Sequence, residues 1–212
     1  MFRFGCRLFL LFALLFWSNR ECTAQGKFES GFLFGLNTSQ ITGDNLAGYD
    51  KPSLTAGIWV RRFLSEQWAL SFEMAWLPKG SRSVLRAQDS IPTLYRLNLR
   101  YIELPFMLQW KPKRFPKWML ESGLGTGVYI SHTEEDEFGD LSGIYGPREQ
   151  FKPFDISFNV GLTWLFHSRW ALNVRSANSI FPVRNHDQQT HFRLNQGQYS
   201  SCIMGRLIYT WR

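Results

Sequence analysis

Apolar and polar positions alternate with a period of two through most of the chain from Phe28 to Trp211. A strand sends successive side chains to opposite faces, so this period predicts strands and not helices. The clearest case is the stretch YIELPFMLQW, KPKRFPK, WMLESGLGTGVYI, residues 101–130. In its first arm Ile102, Leu104, Phe106, Leu108 and Trp110 share one face, and Tyr101, Glu103, Pro105, Met107 and Gln109 share the other. In the second arm Trp118, Leu120, Leu124, Val128 and Ile130 oppose Met119, Glu121, Gly123, Gly125, Gly127 and Tyr129. A Trp closes one arm and another opens the next, on either side of a short basic turn. A membrane β-hairpin has this form where it meets the water interface.

Eight such segments are predicted: residues 28–37, 53–62, 68–77, about 94–110, 118–130, 154–166, 170–178 and 198–211. Their connections alternate in length. Residues 63–67, 111–117 and 167–169 are short, whereas 38–52, 78–93, 131–153 and 179–197 are long and polar. Outer-membrane barrels combine short periplasmic turns with long external loops. The expected fold is therefore all-β, an eight-stranded antiparallel up-and-down transmembrane barrel with both termini on the short-turn side. A second regularity agrees: Trp68, Trp110, Trp118, Trp170 and Trp211 all fall beside a short turn or at the C-terminus. They are expected to form an interfacial girdle, with Trp76 and Tyr199 near the opposite rim.

Periodicity alone does not separate a membrane barrel from a soluble lipocalin-like one, in which the apolar face points inward. The polar face helps. It carries Arg61, Glu73, Glu103, Glu121, Asp155, Arg175 and Arg206 among glycines and small residues, with almost no lysine. A soluble surface would be rich in Lys. These groups are expected to pair with one another as an ion-pair network inside a narrow lumen, since an unpaired buried charge is costly. Gly123, Gly125 and Gly127 would leave room for bulky neighbours, and Pro105 would mark a bulge or bend in the wall.

Composition adds a compartment. Arg3 and Arg7 precede an apolar core, 8–17, and Cys22-Thr23-Ala24 offers a small-x-small cleavage site. Residues 1–24 read as a signal peptide, and 25–212 as one outer-membrane barrel domain. The apolar core is short for an anchor helix, and Asn19-Arg20-Glu21 before Cys22 does not suit a lipoprotein site. Cleavage removes three arginines and one glutamate and lowers the formal charge from +7 to +5. Export makes nucleic acid an unsuitable partner for this charge; lipid headgroups and lipopolysaccharide suit it better. Cys202 then remains without a cysteine partner, so no disulfide framework is expected.

The hairpin YIELPFMLQW with ESGLGTGVYI resembles the PorT-like outer-membrane β-barrel family of Bacteroidota-type bacteria. So does the front of the mature chain, GFLFGLNTSQITG followed by SLTAGIWVRRFLSEQWALSFEMAWLPKG. The resemblance covers nearly the whole mature chain. It implies a compact barrel of about eight strands in the outer membrane. One family member is linked to type IX secretion and gliding, and most have no assigned activity. The chain ends in Trp211-Arg212 and not on an aromatic residue.

Candidate chemistry is sparse. An eight-stranded barrel is just wide enough inside for side chains, which argues against a porin. A lipid-modifying enzyme would need Ser, His and a carboxylate together at the wall or rim. Ser131, His132 and Glu134 are the one compact set, at the start of a long loop where such groups are usually solvated. The acidic run 134–140, EEDEFGD, lacks the ligand spacing of a known calcium loop and reads as a solvated tip. His186, Asp187 and His191 are a weak metal set. The expectation is no catalytic, cofactor-binding or metal site, and a structural or interaction role in the envelope. Partners would be outer-membrane lipid, lipopolysaccharide and another envelope or secretion-complex protein.

Overall fold

The computed structural model of the chain describes residues 28–43, 48–83, 94–141, 150–185 and 197–211. The expected signal peptide and His186, Asp187 and His191 lie outside the described residues. The strands are β1 Phe28–Thr42, β2 Lys51–Phe63, β3 Trp68–Arg82, β4 Arg96–Trp110, β5 Trp118–Asp136, β6 Gly139–Asp140, β7 Phe154–Leu165, β8 Trp170–Ser179 and β9 Tyr199–Trp211. Every pairing is antiparallel, and β1 bonds β9 while β4 bonds β5. The cycle β1-β2-β3-β4-β5-β7-β8-β9 therefore closes on itself as eight staves, with the β2–β3 ladder running only from Phe63↔Ala69 to Ala56↔Trp76. β6 is a two-residue return at the tip of β5.

Burial alternates along each stave, and its sense fixes the orientation. Phe72, Phe106, Leu124, Phe158 and Val174 are exposed, whereas Glu73, Glu103, Glu121, Asp155, Arg175 and Arg206 are buried. The greasy side of the ribbon faces outward and the charged side faces the axis, the reverse of a soluble barrel. No helix among the described residues is long and apolar enough to cross a membrane; the spanning elements are the strands. In a bilayer, closure is what lets strands satisfy every backbone donor and acceptor without water.

Several expectations need correcting. The staves are longer than the apolar alternation: β3 runs on to Arg82 and β5 covers 19 residues to Asp136. Spanning strands need about 9–11 residues, so these ends stand clear of the apolar belt, where polar outward side chains hide the period. The extension brings Lys51 and Lys79 into the walls, both buried, so the strands are not nearly lysine-free inside. Pro105 makes no bulge. The β3–β4 register is the same on either side of it, and the ladder skips only the pairs at Leu104 and Pro105, as the missing N–H of proline requires. The bulge lies higher, where Arg100 faces Ser131 but Tyr101 faces Tyr129. Ile130 is the extra residue, and it reverses the parity of β5 beyond it. Glu134 therefore points inward and is 1% exposed. The acidic run is thus part strand and part hairpin tip, not wholly a solvated loop; Asp136 Oδ1 accepts the Phe138 and Gly139 amides at 2.8 and 3.0 Å. Tyr199 opens β9 at the far rim, as expected, but is buried and does not face outward.

Candidate functional site

The inward side chains fill the lumen in layers. Along β3, from the short-turn end, they run Ala69, Ser71, Glu73, Ala75, Leu77 and Lys79. Glu73 and Lys79 each anchor an ionic cluster. Between and beyond them lie apolar groups: Leu33, Trp59, Ala75, Ala171 and Ile208 in one, and Leu77, Ala177, Cys202 and Met204 in another.

In the first cluster Arg175 grips Glu73 with two bonds, Nη1 to Oε2 at 2.9 Å and Nη2 to Oε1 at 2.7 Å. Its Nε donates to Glu121 Oε1 at 2.7 Å. Arg206 Nη1 donates to Glu73 Oε2 at 2.8 Å, and its Nε to Asn173 Oδ1 at 2.9 Å. Asn173 in turn donates to Glu121 Oε1 at 2.8 Å, and Gln109 to Glu121 Oε2 at 3.1 Å. Two carboxylates and two guanidiniums balance. Planar, two-pronged Arg–carboxylate bonds are strong and directional. β3 and β8 stand opposite each other in the cycle, so the Glu73–Arg175 bond crosses the full width of the lumen.

In the second cluster Lys79 Nζ bonds Asp155 Oδ2 at 2.7 Å and also Glu103 Oε1, and the same Nζ lies 5.1 Å from the Tyr101 ring centroid. The seven charged residues therefore do not form one network. Glu73, Glu121, Arg175 and Arg206 come together; Glu103 and Asp155 join through Lys79, which alternation within 68–77 missed. Arg61 stands apart at the short-turn end, with Nη1 3.3 Å from Glu29 Oε2. The glycines fit this packing. A Cβ on Gly127 would lie 2.6 Å from Glu103 Oε1, and one on Gly161 2.6 Å from Glu121 Oε1.

At the far end two segments next to β7 and β8 pack onto inward side chains of β1 and β4. Phe151 and Val183 pack with Ile41, Leu97, Leu99 and Tyr101. Lys152 N bonds Val183 O at 2.8 Å, tying the two segments together. Above them Arg184 Nη1 meets Glu134 Oε2 at 3.1 Å, and the Tyr95 hydroxyl donates to Glu134 Oε1 at 2.6 Å. The Ser131, His132 and Glu134 set is thus divided. Ser131 Oγ accepts from Arg100 at 3.1 Å, and Glu134 faces the lumen. The signal for this third cluster was hidden by the bulge.

On the outer face at the short-turn end stand Trp68, Trp110, Trp118, Trp170 and Trp211. Trp68 faces Trp110 with ring centroids 6.2 Å apart; Trp118 stacks on Trp164 at 6.1 Å; Trp170 meets Tyr209 at 4.8 Å; and Trp211 meets Phe32 edge-on at 4.4 Å. Trp164 and Tyr209 join this belt although their sequence positions were assigned to strand faces only.

Residues 18–185 match the family described as outer membrane protein beta-barrel domain. Comparison with curated proteins finds no match. Among solved structures, the chain is similar to Ail, the attachment invasion locus protein of Yersinia pestis, in complex with the heparin analogue sucrose octasulfate: 14% identity, 87% of this chain and 99% of that one covered, TM-score 0.51. It also matches Neisserial surface protein A, at 7% identity, 86% and 97% coverage and TM-score 0.49, and CarO of Acinetobacter baumannii, at 8% identity, 84% and 97% coverage and TM-score 0.43. The likeness to Ail is one of fold.

Proposed function

This chain belongs to the outer membrane protein beta-barrel domain family, an eight-stranded barrel of the outer membrane set in lipid and lipopolysaccharide, and from that premise we propose that it is a closed structural or interaction protein of the cell envelope. Residues 1–24 direct export, and the lumen serves as a plugged, stiffened support. The observation that carries this reading is the Glu73–Arg175 bond across the barrel, set among apolar layers that extend at the far end to Phe151 and Val183. In this reading the filled lumen carries no aqueous path, and the two rims and the outer wall are the working surfaces. The barrel performs no catalysis and takes no cofactor in this reading.

The narrower form of the same reading, supported by the PorT-like character of YIELPFMLQW and ESGLGTGVYI, is an accessory barrel of a type IX secretion or gliding complex. Affinity capture from detergent-solubilised membranes tests it, with co-purifying secretion or gliding components as the expected result. The closed lumen is tested in planar bilayers. The refolded protein is expected to give no steady single-channel current; regular conductance steps would refute a plugged barrel.

A further inference from the structure

The short-turn mouth is concave. A cavity of about 400 Å³, open on one side, lies between the strand ends and two of the short turns. Its floor is built by inward residues, Arg61, Met119 and Ala171, so it sits on the barrel axis and not against the acyl chains. Its rim carries Lys111, Lys117 and Arg169, and its walls include Phe63 and Phe166. Glu29 is the acidic residue among the lining groups.

Arg61 is the informative member. It is 5% exposed. Its guanidinium carbon lies 4.9 Å from the Trp59 ring centroid and 5.8 Å from that of Phe63. Nη1 has Glu29 at 3.3 Å, but the buried Nε has no hydrogen-bond partner among the described residues. Lys111, Lys117 and Arg169 take part in none of the ion pairs of the described residues. Four cations against one carboxylate in a concave mouth with aromatic walls focus a positive field along the axis. A cavity of this size, with aromatic walls, is within the range of ligand sites and larger than a simple ion needs.

We infer that this vestibule binds an acidic, partly apolar peptide segment of a periplasmic partner protein. Its carboxylates meet Arg61, Lys117 and Arg169, and its apolar side chains lie against Phe63 and Phe166. Charge-assisted bonds to Arg and Lys supply the selectivity for acid over amide. The inference rests on the interaction reading above, yet it is independent of whether the lumen conducts.

The test uses the full mature chain, refolded in neutral-lipid nanodiscs, and a fluorescently labelled hexapeptide alternating glutamate and leucine. Anisotropy is measured beside a glutamine-for-glutamate control peptide. The acidic peptide is expected to bind about tenfold or more tighter than the control, and the Lys117→Gln/Arg169→Gln variant to lose that advantage. Both substituted side chains are exposed on turns, so the barrel still folds, as the migration difference between heated and unheated samples verifies. Arg61→Gln, tested the same way, is expected to weaken binding as well. Equal affinity for the two peptides, or unchanged affinity in the turn variant, overturns the proposal. So does displacement of the peptide by inorganic phosphate at matching concentration, which marks a simple anion site. Loss of binding when phosphatidylglycerol is added to the nanodisc also overturns it and assigns the mouth to lipid headgroups. If the peptide binds while the barrel conducts, the closed-lumen reading fails alone; if neither occurs, the vestibule inference fails alone.

Discussion

Glu73 holds two guanidinium groups that come from strands on the far side of the barrel. Removing its carboxylate leaves Arg175 and Arg206 with Glu121 alone, in a space with little room for water. Breaking a buried ion pair by deleting one partner costs about 3–5 kcal/mol, because the remaining charge stays buried and uncompensated. Glu73→Ala is expected to lower the stability of the refolded barrel by that amount, read from denaturant unfolding in lipid vesicles. A loss near that of an ordinary surface substitution would mean that the lumen hydrates and that the cluster is not structural. Sequence reasoning found six of the side chains in the two central clusters because charges recurred on the polar face of alternating segments. It missed Lys79, the cation that joins Glu103 to Asp155, because the outward neighbours of that position are proline and glycine and give no apolar alternation to follow.

At the scale of the element, β5 shows why parity cannot be extended without the partner strand. Counting by twos from Trp118 places Glu135 inward. The extra residue at Ile130 moves Glu134 there instead, against Tyr95 and Arg184. A bulge is a property of two strands, two residues on one facing one on the other, and nothing local in SGLGTGVYISHT marks where it falls. The register above and below is set independently, so deleting Ile130 is expected to leave both halves in place and to permit refolding. Deleting Leu120, which pairs with Trp110 in the ladder, slips the stretch from there to the bulge by one and turns its inward groups, the buried Glu121 among them, to lipid. Heat-modifiable migration after refolding separates the outcomes: a folded band for the first deletion and none for the second. Failure of both would show that the bulge itself is required for assembly.

For the whole molecule, the decisive variable is depth in the bilayer. Leu124 is exposed midway along the apolar stretch 118–130 of β5, whereas Phe28 is exposed at the short-turn end of β1. A cation on the lipid face costs about 2–4 kcal/mol at the midplane and about 0–1 near an interface. Leu124→Arg is therefore expected to destabilise the barrel in vesicles well beyond Phe28→Arg, each measured by denaturant titration. Equal costs would place both sites in water and would contradict the membrane orientation.

The amino-acid sequence by itself determined the strand count, the short and long connections, the outward apolar face and the Trp belt. These follow from a period of two and from composition, which act within one segment at a time. The tertiary structure alone decided which charges meet. Glu73 and Arg175 are 102 positions apart, and only closure of the cycle with its particular stagger brings them face to face. It also decided that Phe151 and Val183 pack with Ile41, Leu97, Leu99 and Tyr101 at the far end, and that the short-turn mouth gathers Arg61, Lys117 and Arg169. Such meetings depend on register between strands distant in sequence, a quantity that no single stretch of residues encodes.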